Sequence, residues 1–135
     1  AQDIAAQIAK TEAQLLASGT EAAQSMAQRL KAARQAFLDV VEFVAGKAKA
    51  SPNAVYAGSV PYLMLTGNLL AGWQMGRALL AAQDQAALGV DVAFMQAKVV
   101  TAQFYAEHIL TQVPGLRDSV LAGGESACAL PLDAF

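Results

Sequence analysis

Hydrophobic positions recur along this chain at spacings of three and four, the period of one face of an α-helix. A first helix is predicted over Ala1–Ala17, where Ile4, Ile8 and Leu15 share a face with Ala5 and Thr11 between them. Ser18-Gly19-Thr20 interrupts the pattern, Gly19 suiting a helix end and Thr20 the N-cap of the next helix. A long second helix is predicted over Glu21–Lys49. Met26, Leu30, Ala33, Phe37, Val40, Val41 and Val44 trace its apolar stripe, and Arg29, Lys31, Arg34, Asp39 and Glu42 occupy the other side. Lys47 and Lys49 complement the negative end of the helix dipole before Ser51-Pro52-Asn53 closes the element.

The third helix, Ala54–Gln83, is apolar around most of its circumference, the pattern of a central helix covered on several sides. It is therefore expected to be the best-buried element, with Leu65, Leu69, Trp73 and Leu80 largely inaccessible. Pro61 either opens the main helix at its first turn or kinks a longer one. Gly58, Gly67, Gly72 and Gly76 each cost about 1 kcal/mol of helix propensity, which predicts close approach of neighbouring backbones. Asp84–Val90 reads as a loop and Asp91 as the cap of a fourth helix over Val92–Gln112. Ala93, Ala97, Val100 and Phe104 form its apolar side, continuing into Ala106–Leu110. Pro114-Gly115 is expected to stop it, Leu116–Ala122 to form a short helix, Gly123-Gly124 a turn and Ser126–Leu130 a last turn. The fold class is all-α: one antiparallel four-helix bundle-like domain over 1–135 with a short C-terminal helical extension.

Composition agrees. About a quarter of the residues are alanine, and β-branched and aromatic residues never alternate with polar ones over a useful stretch. Nine basic and eleven acidic residues give a formal charge of −2 spread along the chain, so no basic footprint for nucleic acid appears. One cysteine, Cys128, leaves no internal disulfide or cysteine-based zinc site, and a reducing, cytoplasmic setting is expected. Ala1–Lys10 lacks a basic cluster followed by an apolar run, the mark of a signal peptide. Val55–Leu80 is apolar enough to test as a membrane span. It carries Pro61, Asn68, Gln74 and Arg77 across its length, costly in a bilayer, and reads as a core helix.

Candidate chemistry is sparse. A di-iron bundle needs inward glutamates and Glu-x-x-His pairs, whereas Glu107 and His108 are adjacent and there is no second histidine. His108 near a helix end and Cys128 in an Ala-rich tail each lack a partner group in sequence, and packed or solvated side chains are expected for both. Arg29, Lys31 and Arg34 read as a solvated helix face. Met64, Trp73 and Met75 read as core, and Gly72-x-x-x-Gly76 as close packing within the bundle.

Two blocks in order and register give the chain a likeness. Val60-Pro61-Tyr62-Leu63-Met64-Leu65-Thr66-Gly67-Asn68 with Gly72-Trp73 and Arg77-Ala78 forms the first. Ala97-Lys98-Val99-Val100-Thr101-Ala102-Gln103-Phe104-Tyr105-Ala106-Glu107-His108-Ile109-Leu110, running into Pro114-Gly115-Leu116 and more weakly Ser126-Ala127-Cys128-Ala129-Leu130, forms the second. The sequence resembles the C-terminal helical domain of one branch of the acyl-CoA dehydrogenase family, the branch of phenylacyl-, methylthiopropionyl- and long-chain-type enzymes. The first two helices match only in character.

The resemblance implies a parent enzyme that oxidises acyl-CoA to 2,3-enoyl-CoA, a glutamate taking the α proton and FAD the β hydride. In that family the base lies in a Tyr-Glu-Gly-Thr-like segment of the preceding catalytic domain, and no such segment stands here. Catalytic, cofactor-binding and metal residues are accordingly expected to be none in this chain, and FAD and acyl-CoA to belong to the parent alone. The expected role is structural, packed on the catalytic body, with the isolated chain keeping an apolar docking face and forming a homo-oligomer. The competing classes are a free-standing helical interaction module and a peripheral membrane adaptor using the basic part of the second helix.

Overall fold

In the computed structural model residues 1–134 are described, and among them the chain is helical with no strand. Helix α1 spans Gln2–Ser18 and α2 Glu21–Lys47. The turn between them is set by two residues. Gly19 takes the left-handed conformation (φ 73°), and the Thr20 hydroxyl accepts a hydrogen bond from the Ala23 amide at 3.3 Å.

The predicted third helix is two helices. A short α3, Pro52–Ala57, meets α4, Ser59–Ala87, at Gly58. Pro61 falls in the first turn of α4, where a missing amide breaks no intrahelical bond, so it opens the main helix. The loop expected over Asp84–Val90 shrinks because α4 continues to Ala87. Gly89 (φ 75°) closes the helix, with the Val90 amide reaching the Gln85 carbonyl at 3.0 Å. Asp91 occupies the N-cap position of α5, Val92–His108, but in a left-handed conformation (φ 40°) and without a side-chain cap bond. Its predicted role as a capping acceptor is thus corrected.

Pro114-Gly115 does not stop the chain. After a 3₁₀ turn at Leu110–Gln112, α6 begins at Val113 with Pro114 in its first turn and runs to Ala127. Gly123-Gly124, expected as a turn, lies inside that helix. The reason is packing: a Cβ on Gly124 would stand 2.9 Å from the Cα of Ala54, so α6 crosses α3 almost backbone to backbone.

Helix α2 shares the centre of the bundle with α4, each contacting α1, α5, α6 and the other. Helix α2 buries Met26, Leu30, Ala33, Phe37 and Val40, while Val41 and Val44 are half-buried. The expectation that the third helix is best buried is overturned. Leu65, Leu69, Gly72, Gly76 and Leu79 of α4 are buried, but Trp73 and Leu80 are only half-buried and Val60, Leu63 and Met64 face solvent. The apolar side assigned to the fourth helix holds only at its end: Ala106 and Leu110 face the core, joined by Ala102, whereas Ala93, Ala97, Val100 and Phe104 are exposed. A helix apolar on both sides carries no periodic signal for which side turns inward.

The helical glycines divide accordingly. A Cβ on Gly72 would meet Leu110 at 2.6 Å, and one on Gly76 would meet Leu30 and Leu15 at 3.1 and 3.2 Å. These close approaches are made by side chains, not by backbones as predicted, and they lie within one chain. Gly67 is different: it has nothing within 4 Å. Gly67→Ala is therefore expected to raise the stability of this domain by up to about 1 kcal/mol, and Gly72→Ala to lower it by a similar amount despite the gain in propensity. Urea denaturation of the two variants checks the opposite signs, and a loss of stability in Gly67→Ala contradicts the assignment.

Candidate functional site

The best-organised polar chemistry lies where α1 meets α2 and α4. Thr11 and Glu12 are neighbours on α1 and so point about 100° apart, one toward each partner helix. Glu12, only 6% exposed, accepts a two-pronged bond from Arg34 of α2, Nε to Oε1 at 2.8 Å and Nη2 to Oε2 at 2.9 Å. That bond holds the Arg34 guanidinium above its ordinary pKa. Thr11 Oγ1 accepts from Trp73 Nε1 of α4 at 2.8 Å and donates to the Gln7 carbonyl at 3.4 Å. Arg77 stands 5.9 Å over the Trp73 ring. Every polar group in this clasp answers another one.

A second set ties the helix ends. Ser18 Oγ donates to Gln83 Oε1 at 2.9 Å, and Gln83 Nε2 donates to Thr20 Oγ1 at 2.7 Å. Beside them, with Leu80, Gln96 and Val99, is a depression of about 560 Å³ that opens to solvent. Tyr105 of α5 donates to the Asn68 carbonyl of α4 at 3.2 Å, and burial pushes its phenol above the ordinary value of 10. Stability from this group is thus complete below pH 10 and lost as pH rises through the elevated value. Tyr105→Phe is expected to cost about 1 kcal/mol at pH 7 and to flatten the alkaline limb of a thermal-midpoint profile. An unchanged limb would show that the phenol does not carry it.

The structure disperses the residues singled out in the sequence. His108 is exposed, its ring stacked on Phe104 at 4.3 Å, while Glu107 accepts a bond from Gln103 at 3.0 Å. Cys128 is exposed beside a depression of about 350 Å³ with Ser51, Asn53 and Glu125. Arg29 and Lys31 face solvent, but Arg34 turns inward to Glu12, correcting its place on the polar face. Met64 and Trp73 lie nine residues apart and so on opposite sides of α4, Met64 exposed and Trp73 turned to α1, so they line no common pocket. Among the described residues no three metal-ligating side chains cluster, and no buried side-chain nitrogen or oxygen lacks a hydrogen-bond partner.

The feature missed in the sequence is Glu12. Its signal was there: it stands four after Ile8 and three before Leu15, on the apolar stripe itself. A charge at that position calls for a buried partner. A second feature is electrostatic. The outer side of α1 and α2 carries Asp3, Lys10, Glu21, Arg29, Lys31, Glu42 and Lys47, all exposed. From Ser59 to Gly76 of α4 there is no charged residue, and along α5, Val92–His108, only Lys98 and Glu107. On that charge-poor side Val60, Leu63, Met64, Val100 and Phe104 are exposed, Leu63 at 74% and Phe104 at 56%.

Residues 2–131 are matched by the family described as "Acetyl-CoA dehydrogenase C-terminal like". The chain belongs to that family of acyl-CoA dehydrogenase C-terminal domains. The 3-methylmercaptopropionyl-CoA dehydrogenase of Ruegeria pomeroyi is 44% identical over 126 residues, which is 93% of this chain and 21% of the relative. The broad-specificity linear acyl-CoA dehydrogenase FadE5 of Mycobacterium tuberculosis is 32% identical over 114 residues, 82% of this chain and 17% of the relative. This domain thus spans about a fifth of each relative's length. No solved structure matches it. Among its described residues no helix is long and apolar enough to cross a membrane.

Proposed function

We propose that this domain is the C-terminal structural part of an FAD-dependent acyl-CoA dehydrogenase that oxidises acyl-CoA to 2,3-enoyl-CoA in the cytoplasm, and that it supplies no catalytic, flavin-binding or metal-binding residue. The observation that carries the reading is the family match over residues 2–131, at about a fifth of the length of relatives named as dehydrogenases. The residues of this chain do not fit a flavin dinucleotide. Such a cofactor needs a concave, enclosing surface with convergent polar groups, whereas Ser18, Thr20 and Gln83 bond one another and their depression opens to solvent. The domain's part is to pack on the catalytic body of the parent. Cut free, it pairs with a second copy of itself, since a large exposed apolar patch tends to find cover.

The purified chain is expected to be colourless and to leave acyl-CoA unoxidised in the presence of added FAD and an artificial electron acceptor. Stoichiometric yellow protein, or bleaching of flavin by an acyl-CoA with this chain alone, overturns the reading. Light scattering over a wide concentration range is expected to show a dimer that dissociates on dilution; a monomer at every concentration rules out the self-pairing.

A further inference from the structure

We infer that the outer face of the α4–α5 pair, centred on Leu63, Gly67 and Phe104, is the seat on which the rest of the parent polypeptide rests. The inference builds on the function proposed above and names the surface through which it acts. Successive residues of a helix are separated by 100°, so Val60, Leu63, Gly67 and Ala71 fall together on the side of α4 away from its buried row Leu65, Leu69, Gly72 and Gly76. On α5 the same reasoning sets Ala93, Ala97, Val100 and Phe104 opposite Ala102 and Ala106. All eight outward residues are exposed, and none is charged. The helices are neighbours and antiparallel, tied at Tyr105–Asn68, so the two rows make one surface.

Permanent interfaces have depleted charge and enriched aromatic and Met side chains at their centre. This face is poor in charge, with Glu107 and His108 at one end of the α5 row and Lys98 off its side, and it carries Phe104 and the neighbouring Met64 among small and aliphatic residues, while the opposite side of the bundle carries the charges usual for a solvated surface. Gly67, on this face with nothing of this chain within 4 Å, leaves the α4 backbone open to an outside surface, as Gly123 leaves that of α6.

The occupant follows from length and entry point. About four fifths of each relative lies outside the matched segment, and the matching family is described as C-terminal, which places that remainder ahead of this domain. Thr11 bonds a residue 62 positions on and Ser18 one 65 positions on, so α1 runs parallel to α4 and Ala1 lies level with the start of α4. A preceding polypeptide therefore enters at the end of the bundle where Val60, Leu63 and Met64 are exposed, on the Trp73 side of α4, and passes over that end to reach them. Its contacting surface is expected to be flat, apolar and uncharged to match.

Hydroxyl-radical footprinting of the parent and the isolated domain, the latter diluted until light scattering shows a monomer, tests this. Met64 and Phe104 are expected to be modified at least fivefold more slowly in the parent, and Leu16, exposed on α1, at equal rates. Leu63→Glu and Phe104→Glu are expected to leave the thermal midpoint of the isolated domain unchanged, both residues being exposed there, and in the parent to return Met64 to the fast rate. Equal rates for Met64 and Phe104 in parent and isolated domain overturn the inference. Slow modification that becomes fast when the parent is diluted also overturns it, because a second copy is then the cover. Flavin content separates the two levels: a parent that holds no FAD sinks the proposed function itself, whereas a flavin-loaded parent with fast Met64 modification sinks only the docking face.

Discussion

Arg34→Ala is expected to lower the stability of this domain by about 3 kcal/mol, and the thermal midpoint by about 10 °C. The reason is what the substitution leaves behind. Glu12 is almost fully buried, and both of its oxygens are satisfied by one guanidinium, at 2.8 and 2.9 Å. Without Arg34 a carboxylate remains beside Ile8 and Leu15 with no protein donor of comparable reach. The effect stays at the lower end for a broken buried pair because Arg34 itself keeps some contact with water, its side chain being 19% exposed. The companion result is the diagnostic one. Glu12→Leu combined with Arg34→Leu is expected to stay within about 1 kcal/mol of the parent sequence, since two apolar side chains of similar volume need no partner. A double-mutant cycle by urea denaturation then gives a coupling close in size to the single loss. Additive single effects would show that the pair is solvated and contributes little.

Gly124→Val is expected to cost about 3 kcal/mol, whereas Gly123→Ala, one position earlier, is expected to stabilise by up to about 1 kcal/mol. The two glycines look alike in sequence and both lie within α6. A Cβ at Gly124 would come within 2.9 Å of both Cα and Cβ of Ala54 and 3.1 Å of its carbonyl oxygen; at Gly123 nothing lies within 4 Å. Backbone cannot rotate aside as a leucine tip can, so valine at 124 has to part α6 from α3. That loosens the chain from Ser51 to Gly58, whose other clamp is Gly58 against Val120, the side-chain Cγ1 at 2.9 Å and the Cα at 3.4 Å. Hydrogen exchange localises the effect: amides of α3 are expected to lose protection in Gly124→Val before those of α2 do. Equal destabilisation by the two substitutions would refute the crossing.

Much of the molecule was legible from spacing alone, and its failures share one cause. The α1–α2 hairpin was readable because Gly19 and Thr20 act through their own backbone and hydroxyl. The stripe from Met26 to Val40 was readable because α2 has a polar side to contrast with it. For α5 that contrast is missing, and of the side read as inward only Ala106 and Leu110 are buried, while Ala93, Ala97, Val100 and Phe104 face outward. Arg34 was placed with Arg29 and Lys31 because all three are cations on one helix; only the position of Glu12 on another helix drew it in. The candidate site fared likewise. His108, Cys128 and the Met64–Trp73–Met75 set were available as residues, but their dispersal depended on the packing of helices far apart in sequence.

Helix content, the first interhelical turn, the identity of the α2 stripe and the family were determined by the sequence itself. Each rests on local interactions, hydrogen bonds to nearby backbone and apolar contrast within one helix, or on residue identity at fixed spacing. The tertiary structure alone decided which side of α4 and α5 turns inward, that Gly124 is a crossing point rather than a turn, and that Glu12 and Arg34 share a buried bond. Those outcomes turn on the space left between elements. Leu110 fills the gap at Gly72, Ala54 the gap at Gly124, and α2 already covers one side of both apolar helices. What is left over, a charge-poor face holding Leu63 and Phe104 in solvent, is visible only once the core has taken what it can enclose.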